Sequence, residues 1–367
     1  MLKAKNSNKL IFAIEGISIE VLSDSVDFCL TQLTLDFQYF LDTPSQKHVL
    51  PSELSIQLKI IPQSASPELL PDAAAKEVHS DYVVYQNPKK NKRWIDYHGE
   101  ALLCVTDKKG STSATLWCSN EHLAHELSYL YLLSKIGFFL DSKGLHRVHA
   151  LGIHQHHLGA LILIPSGGGK SSLALELLEK NNLTLLSDDS PLVDRKGNLH
   201  PFPMRIAFRH NTKLPVNLEK NAGYMERRKY GGKKLVSMAQ LPHPPTRTNT
   251  TIKPKLLVIA ERHGSKKYPK FRSLSKLQAL QYLLRDMVVG LGLPQLAELI
   301  LTKGLWTLPL LVPTAASRAL AAARLIAKSD CVVLELSTDK KENAALLYKK
   351  LSSYNLVDKQ KNNIIIK

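Results

Sequence analysis

The segment "LILIPSGGGKSSLALELLEK" at residues 161–180 joins an apolar run to an amphipathic run through three consecutive glycines. This order predicts a strand, a tight turn and a helix, and such a turn points several unpaired backbone N–H groups at one spot. Glycine allows backbone conformations that a side chain forbids, a following lysine can reach outer phosphates, and a serine hydroxyl can ligate magnesium. The segment is therefore predicted to be a phosphate-binding loop.

The predicted phosphate contacts lie in the turn and at the start of the helix. Lys170 would reach the outer phosphates, and Ser171 would ligate magnesium. Ile164 stands where the usual pattern of two glycines flanking four residues has its first glycine. The alternative is a glycine-rich turn with an incidental Lys-Ser pair. The complete predicted set is Ser166, Gly167, Gly168, Gly169, Lys170, Ser171 and Ser172.

Length and composition indicate the class of protein. A chain of 367 residues can bury a sizeable core and suggests two domains. No apolar run approaches the length that spans a bilayer, and the N-terminus does not read as a secretory leader. The four cysteines lack CxxC spacing, which indicates neither a disulfide framework nor a zinc knuckle. We expect a soluble, cytoplasmic protein with no membrane partner.

The formal net charge of +17 raises the question of nucleic-acid binding. The basic residues gather in short loops such as "NPKKNKRW" at residues 87–94 and "ERRKYGGKKL" at residues 226–235. Stacking aromatic residues do not alternate with them, and they carry no recognisable base-reading motif. Solvated loops or an acidic partner fit this distribution better, so nucleic-acid binding is not expected.

Residues 1–120 are predicted to form a mostly β N-terminal module, and residues 121–367 a second domain. The first region has seven short runs with alternating or β-branched apolar residues, which is typical of strands. The next segment, residues 121–144, repeats leucine at helical spacing until Gly144, and Ser119 or Asn120 can cap that helix. The seven runs are "LIFAIEGISIEVL", "LTLDFQYFL", "LSIQLKII", "DYVVYQ", "RWIDYHG", "EALLCVTD" and "SATLWCS".

A pair of carboxylates follows the next predicted strand, "LTLLSDDSPLVD" at residues 183–194. Carboxylates that end a strand beside a phosphate loop can hold the magnesium of a nucleotide, and one of them can accept a proton from a hydroxyl. Asp188 and Asp189 are the candidates. Ser-Asp-Asp is also a common turn and cap sequence, and that interpretation stays open.

Several histidines that closely precede the loop are candidates for a functional role. His149 lies on a predicted strand, "HRVHALGI", which a turn joins to a second predicted strand, "GALILIP". The turn carries His154, His156 and His157, which we interpret as solvated and not as a zinc site, because no carboxylate or cysteine stands near them in sequence. Later segments, including a buried strand "KPKLLVIAER" and a helix "LSKLQALQYLLRDMVVGLGL", are interpreted as scaffold.

Residues 148–208 resemble the catalytic core of HPr kinase/phosphorylase and its bacterial relatives. These enzymes have a histidine followed by two strands, a phosphate loop, a helix, and a strand ending in Asp-Asp. The corresponding segments here are "VHALGI", "PSGGGKSS" and "LLSDDS", in the same order and at similar spacing. The further segment "HPFPMRIAFR" resembles the proline-containing turn and strand of related kinases, including kinases that modify ribosomal peptides.

The resemblance implies an α/β fold like the nucleotide domain of phosphoenolpyruvate carboxykinase, a bent mixed sheet with helices and a phosphate loop. It also implies roles for individual residues. Lys170 would bind near the β-phosphate, Ser171 and Asp189 would hold magnesium, Asp188 would be the general base, and His149 would lie near the transferred group. Homo-oligomers are common among these relatives.

The chain departs from this family at three points. Ile164 replaces the first loop glycine, Ser172 stands where the bifunctional enzymes carry glutamate, and the Glu-x-Arg-Gly element of the family is missing. These departures weaken the case for the phosphorylase half-reaction and for HPr as the acceptor.

The expected function is an ATP- and magnesium-dependent kinase that phosphorylates a hydroxyl, most simply Ser or Thr of a small protein or peptide. Positive charge commonly clamps phosphates in such sites, and Arg205 and Arg209 are candidates for that role. Two alternatives stay open. One is a nucleotide-binding regulatory or scaffold protein without turnover, and the other is a kinase of a small-molecule hydroxyl.

Overall fold

The structure is a computed structural model, and it shows a mixed α/β protein, as the sequence predicts. By their mutual contacts, the described residues form two compact units. One comprises those within Met1–Phe139 and Ala207–Ser237 with Leu308, and the other those within Leu140–Ile206, Met238–Ala297 and Pro309–Lys367. The described residues are 8–42, 52–71, 77–87, 91–165, 167–180, 182–226, 231–241, 243, 245–246, 248–262, 268–290, 293 and 308–365.

Residue 120, the predicted domain boundary, lies inside the first of these units. Compactness does not test whether residues 1–120 fold by themselves, so the division into domains 1–120 and 121–367 stays a prediction.

The first unit contains an eight-stranded sheet in the order β1-β2-β3-β8-β7-β6-β5-β4. Strand β3 pairs in parallel with β2 and β8, and the other neighbours are antiparallel. Apolar residues alternate along the outer strands, so one face of the sheet is buried. The strands are β1 (Lys9–Ile14), β2 (Ile17–Ser23), β3 (Leu54–Ile61), β4 (Glu77–Val78), β5 (Val83–Asn87), β6 (Lys92–Asp96), β7 (Ala101–Lys108) and β8 (Ser111–Cys118).

One predicted strand of this region, "LTLDFQYFL", is wrong, because these residues belong to helix α1 (Leu30–Asp42). The buried residues Leu30, Leu33, Phe37 and Phe40 recur at intervals of three and four, which is the helical period. Phe37 stacks on Phe12 of β1 with ring centroids 4.6 Å apart. The aromatic and leucine content favours a strand locally, but packing of one helical stripe on the sheet decides the outcome.

The predicted helix at residues 121–144 is confirmed as α2 (Glu121–Ser142). The side chain of Asn120 accepts a hydrogen bond from the backbone N–H of Leu123 at 3.0 Å, so Asn120 is the N-cap. Gly144, with a φ of 76°, follows the helix in the left-handed conformation that commonly ends helices.

A charged cluster lies between the sheet of the first unit and α2. Asp107 accepts hydrogen bonds from Lys135 at 2.6 Å, from Arg93 at 2.7 Å and from Thr112 at 2.8 Å. Burial raises the pKa of Asp107, but the charge of Lys135 and these hydrogen bonds outweigh burial and hold that pKa at about 2.

The second unit contains a six-stranded mixed sheet in the order β12-β10-β11-β18-β20-β19. Strand β10 is antiparallel to both β11 and β12, and β11, β18 and β20 are parallel to one another. The carboxyl ends of β11, β12 and β18 therefore meet at one edge, where β10 begins. The strands are β10 (Leu151–Gln155), β11 (Leu158–Leu163), β12 (Thr184–Ser187), β18 (Lys253–Arg262), β19 (Lys270–Ser273) and β20 (Asp330–Leu336).

Two three-stranded sheets complete the described strands, in the orders β14-β13-β9 and β15-β17-β16. Their strands are β9 (Leu145–Arg147), β13 (Leu192–Asp194), β14 (Leu199–His200), β15 (Ile206–Arg209), β16 (Gly223–Met225) and β17 (Lys233–Val236).

Helices of the second unit cover the six-stranded sheet. Helix α3 contacts β10, β12 and α7, and α5 contacts β18. A six-residue π-helical turn, Leu284–Val289, continues α5. Among the described residues, no helix has the length and apolar character needed to cross a lipid bilayer. The helices are α3 (Lys170–Leu178), α5 (Lys276–Leu283), α6 (Leu308–Lys328) and α7 (Lys340–Ile365); a short helix α4 (Val216–Glu219) belongs to the first unit.

A buried ionic network ties α6 to the start of the second unit. Arg318 binds both carboxylate oxygens of Asp141, at 3.0 and 2.5 Å. The imidazole of His146 bridges Asp141 and the hydroxyl of Ser317, each at 2.8 Å. Burial raises the pKa of Asp141, but the hydrogen bonds from His146 and Arg318 outweigh burial and hold that pKa below its ordinary value. The carboxylate is therefore charged and fully paired.

Candidate functional site

The predicted site residues meet at the carboxyl edge of the six-stranded sheet. The glycine loop follows β11, the two aspartates follow β12, and His149 precedes β10. These three segments are far apart in sequence, and the alternation of strand directions brings them to one edge. In mixed α/β sheets, this edge is where ligands commonly bind.

The glycine loop requires glycine at three consecutive positions, each for a structural reason. Gly167 and Gly169 have φ values of 73° and 96°, which disfavour other residues. A Cβ atom on Gly168 would lie 2.5 Å from Ile164 Cγ2 and 2.8 Å from the carbonyl oxygen of Pro165, to which the Gly168 N–H donates. The turn thus forms a tight backbone cradle. Ser166, also predicted to bind phosphate, lies outside the described residues.

Ile164 shows how the loop does without the first glycine of the usual pattern. Its side chain is 3% exposed and packs under the turn, in the space that the missing side chain of Gly168 leaves. Isoleucine in place of the usual glycine therefore packs against the turn with an apolar side chain and does not open the cradle.

Lys170 begins α3 and points to the two other segments of the site. Its ammonium group donates to Asp189 Oδ1 at 2.6 Å, and it lies 3.2 Å from His149 Nε2. His149 Nδ1 lies 3.2 Å from the same carboxylate oxygen. Lys170, His149 and Asp189 therefore form one contiguous cluster.

Ser171 contacts the other carboxylate. Its hydroxyl donates to Asp188 Oδ2 at 2.7 Å. Asp188 is 4% exposed, whereas half of the Asp189 side chain is exposed. The two adjacent aspartates thus have different partners and different access to solvent. Ser172 is half-buried in the first turn of α3.

The prediction that His149 lies on a strand is wrong. The run "HRVHALGI" is divided between β9 and β10, which belong to different sheets, and His149 lies in the bend between them. Its backbone N–H donates to the carbonyl oxygen of Asp286 at 3.0 Å, and this bond anchors the bend to the π-helical turn. A lone apolar run does not reveal where a chain changes sheets.

The imidazole of His149 is mostly buried among charges of both signs. Burial lowers the pKa of His149, as do the charges of Lys170 and Arg285, and together they outweigh the opposing charges of Asp189 and Asp286. Near neutral pH the ring is therefore uncharged, so it can accept a hydrogen bond from the Lys170 ammonium.

Three charged residues that sequence analysis did not connect with the site lie beside it. Arg262, the last residue of β18, places a guanidinium nitrogen 3.1 Å from where a Cβ of Gly169 would be. Arg285 binds the buried carboxylate of Asp286 through two nitrogens, at 2.6 and 2.8 Å. A cation shortly after the apolar run at residues 256–260 of β18 was a signal for Arg262. Arg205, a candidate clamp from the sequence, is buried, and Arg209 is exposed.

The pairing of β10 with β11 confirms the predicted hairpin, and His156 and His157 lie in its turn. The placement of His154 in the turn is wrong, because His154 lies on β10 and its side chain is half-buried. His154 Nδ1 lies 2.7 Å from the carbonyl oxygen of His156, and Nε2 contacts the hydroxyl of Thr246. Within the described part of the chain, no group of three or more His, Cys, Asp or Glu side chains is placed to hold a metal ion.

Neither a protein-family model nor any curated protein matches the chain. The chemistry of the site and the resemblance of its motifs are therefore the observations that indicate a function.

Proposed function

We propose that the protein is an ATP- and magnesium-dependent kinase that transfers phosphate to a hydroxyl, that of Ser or Thr in a small protein or peptide. One observation carries this proposal. Lys170 and Ser171, the two residues after the glycine turn, each contact one of the two carboxylates that end the neighbouring strand. A phosphate cradle, a cation, a hydroxyl and two carboxylates are the groups that phosphoryl transfer uses.

The donor set fits a magnesium–triphosphate ligand. The cradle at Gly167, Gly168 and Gly169 is closed to side chains and directs backbone N–H groups at the start of α3. Lys170 adds a positive charge, and Ser171 with a carboxylate supplies the oxygen ligands that magnesium prefers. When bound, ATP with magnesium would supply the phosphoryl group and shield its charge.

The contacts favour a division of roles between the aspartates that reverses the sequence-based assignment. Octahedral magnesium ligands at about 2.0–2.1 Å stand about 3 Å from their neighbours, and the 2.7 Å between Ser171 Oγ and Asp188 Oδ2 is close to that spacing. Asp188 then holds magnesium with Ser171. The more exposed Asp189, beside Lys170 and His149, accepts the proton of the incoming hydroxyl.

The wider expectations from the resemblance remain part of this proposal. The mixed sheet with a loop between β11 and α3 is consistent with a phosphoenolpyruvate carboxykinase-like nucleotide domain. A cytoplasmic location and a homo-oligomeric state are further expectations.

The first experiment measures nucleotide binding by thermal stability. A ligand that binds only the folded state stabilises it by RT ln(1 + [L]/Kd), so millimolar ATP with magnesium should raise the melting temperature. Lys170→Ala should lose most of this shift, whereas Lys328→Ala, at an exposed position on α6, should keep it. A wild-type protein that shows no shift contradicts the proposal.

The second experiment follows transfer of labelled phosphate from ATP to three kinds of acceptor. These are proteins of a cell extract, peptides encoded beside the gene, and small hydroxyl compounds. Label on a protein or peptide supports the proposal. Label only on a small compound indicates a kinase of a small-molecule hydroxyl instead. Binding of ATP without transfer to any acceptor indicates a regulatory or scaffold protein.

A further inference from the structure

Arg262 lies beside the glycine loop and outside every motif that identified the site. It is the last residue of β18, which runs parallel to β11 and ends at the same edge. Its Nη2 atom lies 3.1 Å from the position that a Cβ atom would take on Gly169, the residue just before α3. The guanidinium group therefore lies over the turn of the cradle.

Carboxylates hold the neighbouring arginines, Arg272 and Arg285. Arg272 lies 3.5 Å from Glu261 and 3.7 Å from Glu335, and Arg285 is bound by Asp286. Among the described residues, no carboxylate forms an ion pair with Arg262, whose side chain is exposed. Its five N–H donors are therefore open to an anion at the loop.

We propose that Arg262 binds the phosphates of the nucleoside triphosphate that occupies the glycine loop. This inference rests on the proposed function, since it requires a phosphate ligand at the cradle. The guanidinium fork matches phosphate oxygens in a bidentate manner, which a lysine does not reproduce. Lys170 contacts Asp189, which follows β12, whereas Arg262 ends β18, which lies on the other side of β11 in the sheet.

The test is the affinity for ATP with magnesium, measured by isothermal titration calorimetry on the full chain. Losing hydrogen bonds to a charged group typically weakens binding by about tenfold to a hundredfold. Arg262→Ala should lose that much affinity, and Arg262→Lys should recover only part of it. The matched control is Arg272→Ala, which removes an equally charged and half-exposed residue on β19, two strands away, and it should bind ATP as the wild type does.

The outcomes separate this inference from the proposed function. If wild type binds ATP, Lys170→Ala does not, and Arg262→Ala binds within about twofold of wild type, far below that range, then the role of Arg262 is wrong and the cradle stands. Equal losses in Arg262→Ala and Arg272→Ala indicate only a general effect of surface charge and also overturn it. If the wild type does not bind ATP, both the cradle and the role of Arg262 are wrong.

Discussion

Replacing Asp189 by asparagine tests most directly how the two adjacent carboxylates divide their roles. The change keeps the size of the side chain and removes its charge and its proton affinity. Asp189 lies 2.6 Å from the Lys170 ammonium, and 49% of its side chain is exposed. The substitution therefore removes both the proposed general base and the ionic partner of Lys170, since Asp189 is both.

The effect on nucleotide affinity follows from that ion pair. Two unit charges at this distance attract each other by about 6 kcal/mol at an effective dielectric constant near 20. Because half of the carboxylate is in solvent, the measured range for exposed pairs, at most about 1 kcal/mol, is the relevant one. Releasing Lys170 from the pair should leave ATP affinity unchanged or raise it by up to about fivefold.

The effect on transfer should be far larger and opposite in sign. Removing a general base typically lowers the rate by about a hundredfold to ten-thousandfold. Asp188→Asn should instead raise the magnesium concentration needed for ATP binding, because it removes a charged oxygen beside Ser171. The two variants should therefore fail in different ways.

The assay combines calorimetry of ATP binding at several magnesium concentrations with single-turnover transfer of labelled phosphate. If Asp189→Asn transfers phosphate within about threefold of wild type, well short of a hundredfold loss, Asp189 is not the base. If Asp188→Asn binds ATP with an unchanged magnesium requirement but is inactive in transfer, the sequence-based roles are correct.

Three further predictions concern the cradle and the stability of each unit. Gly168→Ala places a Cβ 2.5 Å from Ile164 Cγ2, so ATP affinity should fall at least about tenfold with an unchanged circular-dichroism spectrum, and unchanged affinity contradicts the cradle. Arg318→Met leaves the buried Asp141 without its cation and should lower the free energy of unfolding by about 3–5 kcal/mol in urea denaturation. The double variant with Asp141→Asn should recover part of this loss, and an equal loss in the single and double variants contradicts the pairing of Arg318 with Asp141. Asp107 has a lowered pKa in the folded state, so its ionisation stabilises the fold above its ordinary pKa, and this stability is lost as pH falls toward about 2. Asp107→Asn should therefore lower the free energy of unfolding at pH about 6 and lower it progressively less on acidification. A difference between variant and wild type that stays constant between pH about 6 and about 2 is the contrary result.

The local sequence pattern was sufficient to predict secondary structure where the residues of a segment themselves dictate its conformation. The predicted strands that became β3, β7, β8, β12 and β18 carry alternating or continuous apolar residues between polar turns. The glycine run predicted a turn into a helix, because glycine adopts the positive φ values found at Gly167 and Gly169 far more readily than other residues do.

The local sequence pattern failed to predict secondary structure where contacts between residues distant in sequence decide the conformation. Helix α1 contains residues with strand preference, and its conformation depends on packing of Phe37 against Phe12. The bend at His149 depends on a hydrogen bond to Asp286, which is more than a hundred residues away.

By itself, the sequence determined which groups are available for chemistry: the cradle, Lys170, Ser171, two adjacent carboxylates and His149. The glycines, Lys170, Ser171 and the carboxylates stand in short motifs typical of phosphate and magnesium binding, and the family resemblance singled out His149. Only the tertiary structure decided which group faces which. Strand order and direction set the contacts of Ser171 with Asp188 and of Lys170 with Asp189. They also bring Arg262 to the loop, because pairing between distant strands is a property of the whole sheet and not of any local segment.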